Sequence, residues 1–147
     1  MIQSYSNEIL LMEDNDSDAE LTVRALEKNN LANKIVRVKD GVEGLDYLFC
    51  RGAYAGKNKN DLPRLILLDL RMPKISGLEI LQIIKEHDVL KAIPVAVLTS
   101  SDWDPDIKRC YDLGVNSYII KPVNFDDFVK AVMNLGMYWT LTNYQPQ

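Results

Sequence analysis

The chain has 147 residues, 47% of them apolar and 26% charged, which is the size and make-up of one soluble domain. With 17 Lys and Arg against 21 Asp and Glu the net charge is −4, so no basic field exists to attract nucleic acid or an anionic membrane, and direct DNA binding is not expected. The apolar runs fall far short of the ~20 residues of a membrane-spanning helix, and residues 1–7 lack the pattern of a secretion signal, which points to the cytoplasm.

Five short apolar runs alternate with amphipathic segments, the pattern of an α/β fold in which a parallel sheet is covered on both faces. The first run, Glu8 to Glu13, leads into a helix whose apolar face joins Ala19, Val23 and Leu26, widened by Leu21 and Ala25. The second, Lys34 to Lys39, precedes a helix with Leu45, Leu48 and Phe49 on one side. A polar stretch from Gly52 to Pro63 reads as the one long loop. The third run, Leu65 to Asp69, is followed by a helix striped by Leu78, Leu81 and Ile84, with His87 placed in solvent at its end. After the fourth run, Pro94 to Thr99, comes a helix from about Pro105 to Leu113, stopped by Gly114 and capped by Ser101 or Asp102, with Trp103 packing at its start. The fifth run, Ser117 to Ile120, leads to a helix capped by Asn124 and running past Trp139. No repeat or linker interrupts this (βα)5 unit, so the whole of 1–147 reads as one domain, with a core of about 8–138 and an aromatic C-terminal extension. Cys50 and Cys110 fall in predicted helices without CxxC spacing or neighbouring histidines, and are read as reduced thiols.

In a parallel sheet the ligand site lies beyond the carboxyl ends of the strands. Those ends carry Glu13-Asp14, Asp69, Thr99-Ser100-Ser101 and Lys121-Pro122. Three carboxylates, hydroxyls and one ammonium from distant parts of the chain should therefore meet in a single pocket. Alone, Glu13-Asp14 would be an acidic helix start and Lys121 a solvated surface lysine; together they describe a site.

This combination resembles the receiver domains of two-component response regulators over roughly residues 8–138. Asp14 after an apolar strand, Leu67-Leu68-Asp69-Leu70-Arg71-Met72-Pro73 followed by Ser76-Gly77, Leu98-Thr99-Ser100 and Ile120-Lys121-Pro122 occur in the family's order. The long second loop and the aromatic extension are similar to the single-domain members that partner phytochrome-type and related hybrid kinases. The resemblance implies a doubly wound, flavodoxin-like five-stranded sheet of order 2-1-3-4-5. It implies that Asp69 is the phosphoacceptor, served by a sensor histidine kinase or a phosphotransfer protein in a Mg²⁺-dependent reaction. It assigns Asp14, Asp69 and the Arg71 backbone carbonyl as metal ligands, with Glu13, here in place of the more usual Asp, acting through water. Thr99 and Lys121 would engage the phosphoryl group, and Tyr118 would swing from exposed to buried as part of the switch. Arg71 and Ser101 would flank the hydrolytic water and tune the phosphorylated lifetime, both being polar and mobile. Lys121-Pro122 would be a cis peptide.

Such a chain is a signalling module whose only catalysis is self-phosphorylation and slow self-dephosphorylation, with output by contact to a downstream protein through the fourth helix, fifth strand and fifth helix. A row of Met133, Met137, Leu141 and Tyr144, displaced from the core row Phe125, Phe128, Val132, Leu135 and Trp139, suggests a homodimer through the fifth strand and helix. Folding of the long loop or the tail over that row is the alternative. A phosphorylation-independent adaptor stays open. A haloacid-dehalogenase-like phosphatase would want a second acid where Arg71 stands, and a flavodoxin-like electron carrier would want neutral donors where Glu13-Asp14-Asn15-Asp16 stands.

Overall fold

The five apolar runs form five strands: β1 (Glu8–Met12), β2 (Lys34–Val38), β3 (Leu65–Asp69), β4 (Val95–Thr99) and β5 (Tyr118–Ile120). They pair in parallel in the order β2-β1-β3-β4-β5. The computed structural model describes residues 4–5, 8–28, 34–100, 104–115 and 117–136. Helices α1 (Asp16–Glu27), α2 (Gly41–Phe49), α3 (Gly77–Glu86), α4 (Asp106–Asp112) and α5 (Phe125–Asn134) complete the βα alternation.

Alternation along each strand divides the core in two. Ile9, Leu11, Leu65, Leu67, Ala96 and Leu98 face α1 and α5, where Leu26, Phe128 and Val132 meet them. Leu10, Met12, Ile66, Leu68, Val95 and Val97 face α2, α3 and α4, against Leu45, Ile80, Leu81 and Cys110. β3 is buried at all five positions, as a central strand covered on both sides must be. The turns at the carboxyl rim become helices because a side chain satisfies the first free amides: Asn15, Asp40, Ser76 and Asn124 accept from Asp18, Glu43, Glu79 and Asp127 respectively.

Several expectations are corrected. Leu21 is 48% exposed; the buried neighbour is Thr22, whose hydroxyl donates to the Asp18 carbonyl at 2.9 Å, so a polar residue is admitted because its hydrogen bond is made locally. The α5 helix does not run past Trp139: it ends at Asn134, with Leu135 as cap and Gly136 at φ 70°, a left-handed stop that glycine adopts without penalty. Trp139, Met137, Leu141 and Tyr144 lie outside the described residues, so only Met133 of the proposed second row is placed, and it is exposed. Cys50 is the left-handed cap of α2 and not an interior helical residue, while Cys110 lies in α4; both are free and buried.

The long loop is more ordered than its composition suggests. Asp61–Leu62 pairs in parallel with Ser4–Tyr5, Tyr54 sets its ring edge-on to Tyr47 at 5.0 Å, and Lys57 lies 4.5 Å over the Tyr47 ring. These contacts fasten the loop to α2, on the opposite face of the sheet from α5. His87 is half-buried, not solvated: its Nδ1 accepts from the Val89 and Leu90 amides, both at 3.1 Å, and Phe49 meets its ring edge-on. Among the described residues no helix is long and apolar enough to cross a membrane.

Candidate functional site

Parallel strands deliver their last residues to one rim, and here the rim is acidic. Glu13 follows β1 and is fully buried; its amide donates to the Val38 carbonyl at 3.1 Å, which ties it to β2. Asp14 beside it is exposed. Asp69 ends β3 at 2% exposure, and Thr99, equally buried, ends β4. The Lys121 amide donates to the Thr99 carbonyl at 2.7 Å, and the Lys121-Pro122 bond is cis, as the resemblance implied. The Lys121 ammonium then stands 3.1 Å from Glu13, 3.2 Å from Asp69 and 3.2 Å from Asp18. The Arg71 amide donates to Asp69 Oδ1 at 3.1 Å, while Oδ2 faces Lys121.

Two buried carboxyls with one ammonium between them leave excess negative charge. Burial, and then the hydrogen bond and charge of Asp69, push the Glu13 carboxyl up to about 8, even though Lys121 pulls the other way. Burial would by itself lower the Lys121 pKa, but Asp69, Glu13 and Asp18 reverse this and hold it above the usual lysine value. Glu13, Asp14 and Asp69 each bring a carboxylate oxygen into one cluster, all within 4.8 Å of one another. A hard, all-oxygen donor set with uncompensated charge fits a divalent cation.

Three participants left no mark in the sequence pattern. Asp18, in the first turn of α1, is the third carboxylate on Lys121. Arg37 of β2 reaches the Glu13 carbonyl through Nε at 2.9 Å and Asp16 through its guanidinium at 2.9 Å, so it braces the turn that carries Glu13 and Asp14. Arg37→Ala is expected to lower stability by about 1.5 kcal/mol, the low end of the range for a hydrogen bond to a charged group because Asp16 is exposed; an unchanged urea midpoint would remove Arg37 from the site's support. The third is Asp104, which accepts from the Arg71 guanidinium at 2.7 Å and from the Asp106 amide at 3.0 Å. Asp104 therefore serves the start of α4, where Ser101 or Asp102 was expected to; Ser101, Asp102 and Trp103 lie outside the described residues. Arg71, its side chain 60% exposed, pairs with Asp104 at 2.7 Å and Asp106 at 3.0 Å. Tyr118 is exposed, its ring edge-on to that of Tyr111 at 6.4 Å.

The sequence model of the response regulator receiver domain matches residues 9–133. The chain is 44% identical to the probable methanogenesis regulatory protein FilR2 of Methanothrix harundinacea, over 94% of this chain and 86% of that one. It is 37% identical to response regulator Rcp1 of Synechocystis, over 91% of this chain and 89% of that one, a protein whose structure has been solved in a Mn²⁺-bound form. The fold superposes on the bacteriophytochrome response regulator AtBRR with a TM-score of 0.86 at 50% identity, covering 94% of this chain and 98% of that one. With an acidic cluster, a lysine and a threonine at the strand ends and these relatives over nearly its whole length, the chain belongs to the response regulator receiver domain family.

Proposed function

We propose that the chain is a phosphoacceptor in which Asp69 takes a phosphoryl group from the histidine of a sensor kinase or phosphotransfer protein. The observation that carries this reading is the Lys121 ammonium, 3.2 Å from the buried Asp69 carboxylate and held there by Glu13 and Asp18. A carboxylate oxygen of Asp69 attacks phosphorus, the bond to the histidine nitrogen breaks, and its electron pair stays on the ring. Lys121 neutralises charge on the transferring group, and the Thr99 hydroxyl donates to a phosphoryl oxygen afterwards. Asp14, Asp69, the Arg71 carbonyl and, less directly, Glu13 would hold Mg²⁺, which would supply further charge neutralisation. Arg71 and Ser101 set how readily water reaches the acyl phosphate.

Phosphorylation adds charge and acceptor oxygens at Asp69, which draws Thr99 inward and opens room for Tyr118 to bury. The surface of α4, β5 and α5 then changes, and a downstream protein reads it. The relatives named as bacteriophytochrome response regulators favour a phytochrome-like or hybrid kinase as donor. Pairing of two copies through β5 and α5 is the assembly we expect.

The test is incubation with phosphoramidate, a small phosphodonor, with Mg²⁺ or with EDTA, followed by intact mass. One added phosphoryl group in Mg²⁺ and almost none in EDTA is expected. No gain under either condition would favour the phosphorylation-independent adaptor.

A further inference from the structure

Arg71 and Asp106 are partly exposed, but the Asp104 side chain between them is only 6% exposed. Its two oxygens have different tasks. Oδ1 accepts from the Arg71 guanidinium at 2.7 Å and from the Asp106 amide at 3.0 Å, which anchors the first turn of α4. Oδ2 accepts from the Thr99 hydroxyl at a long 3.5 Å. One nearly buried carboxylate thus touches the residue that ends β4, the residue two beyond Asp69, and the start of α4.

We propose that Asp104 is a positioning residue that holds the switch in its unphosphorylated arrangement and competes directly with the phosphoryl group. This rests on the reading of Asp69 as phosphoacceptor. A hydroxyl carries one proton, so Thr99 cannot give it to Asp104 and to a phosphoryl oxygen at once. The guanidinium of Arg71, whose amide already touches Asp69, meets the same choice once a dianionic group stands there. When both donors turn to the phosphoryl group, the Asp106 amide is what remains to Asp104 among the described residues. A buried carboxylate stripped of its cation is costly, so the first turn of α4 must shift to let water or another donor reach it. Asp104 is in this way the physical link from chemistry at Asp69 to movement of α4, and its charge sets the resistance to activation.

Asparagine at 104 keeps an acceptor for the Asp106 amide and is itself a good helix cap, but it removes the charge that holds Arg71 and Thr99. Alanine removes both. The experiment is titration of the full chain with beryllofluoride, which mimics a phosphoryl group on a carboxylate, at saturating Mg²⁺, with the bound species counted by ¹⁹F NMR. Thermal melts of the unliganded proteins run beside it. Asp104→Asn is expected to reach half-saturation at about fivefold lower beryllofluoride than wild type, from loss of a charge-assisted contact in the resting state only, with its melting temperature nearly unchanged. Asp104→Ala should also bind more tightly although it melts lower. A merely structural role would weaken binding in step with stability. If wild type binds beryllofluoride and Asp104→Asn binds equally or less well, the proposal is overturned while the phosphoacceptor reading stands. If wild type binds none, both fall.

Discussion

Asp69→Asn is expected to take up no measurable phosphoryl group from phosphoramidate in Mg²⁺, a loss of at least about 100-fold in initial rate, because the nucleophilic carboxylate is gone. The amide is close in shape, and its oxygen can still accept the Arg71 N–H that now meets Asp69 Oδ1. Neighbouring acids are poor substitutes. Glu13 is fully buried and is turned toward Lys121, 3.1 Å away. Asp14 is exposed, and the ion pairs of Lys121 go to Glu13, Asp18 and Asp69. Folding should not suffer, since removing one of two like charges relieves a buried repulsion. A urea midpoint at or above that of wild type, together with loss of labelling, is the expected pair of results. Equal labelling of variant and wild type would show that another carboxylate is the acceptor.

How much of this was legible in the sequence depended on whether a residue's role was written in a pattern. The five strands follow from short apolar runs, because burial on both faces forces apolar continuity, while their order came with the resemblance carried by Asp14, Asp69, Thr99 and Lys121. Asp18, Arg37 and Asp104 escaped. Each is a charged residue whose partner lies far off in sequence, Lys121 for Asp18, the Glu13 carbonyl for Arg37 and Arg71 for Asp104, and only the fold brings them together. His87 escaped for the related reason that its partners are backbone amides two and three residues ahead, which no side-chain pattern reports. Leu21 misled because helical periodicity locates a face only to within one position, and Thr22 took the buried place by bonding its hydroxyl to its own helix. The end of α5 was misjudged because the apolar pattern continues past Leu135 although Gly136 turns left-handed.

Gly77→Ala is expected to be the most damaging small substitution near the site. A Cβ at Gly77 would lie 2.6 Å from the Leu70 Cα and 2.9 Å from the Asp69 carbonyl carbon, and closer still to the Asp69 carbonyl oxygen. All three are backbone atoms, so no side-chain rotation relieves the clash. Either the first turn of α3 lifts, breaking the Gly77 amide's 3.1 Å bond to the Leu70 carbonyl, or the end of β3 shifts. β3 is fastened on both sides, by β1 and β4, so the strain is shared with the residue the chemistry uses. Overpacking against backbone of this kind costs about 3 kcal/mol. The carboxylate of Asp69 also moves relative to Lys121, and a misplacement approaching 1 Å is enough to slow phosphoryl transfer by about 100-fold. Gly56→Ala is the matched control, because a Cβ there meets nothing within 4 Å. Urea unfolding and phosphoramidate labelling of both variants should show a large loss of stability and rate in Gly77→Ala and little change in Gly56→Ala. Wild-type labelling by a destabilised Gly77→Ala would mean that α3 yields and Asp69 stays in place, which would sink the claim that the glycine sets the position of the nucleophile.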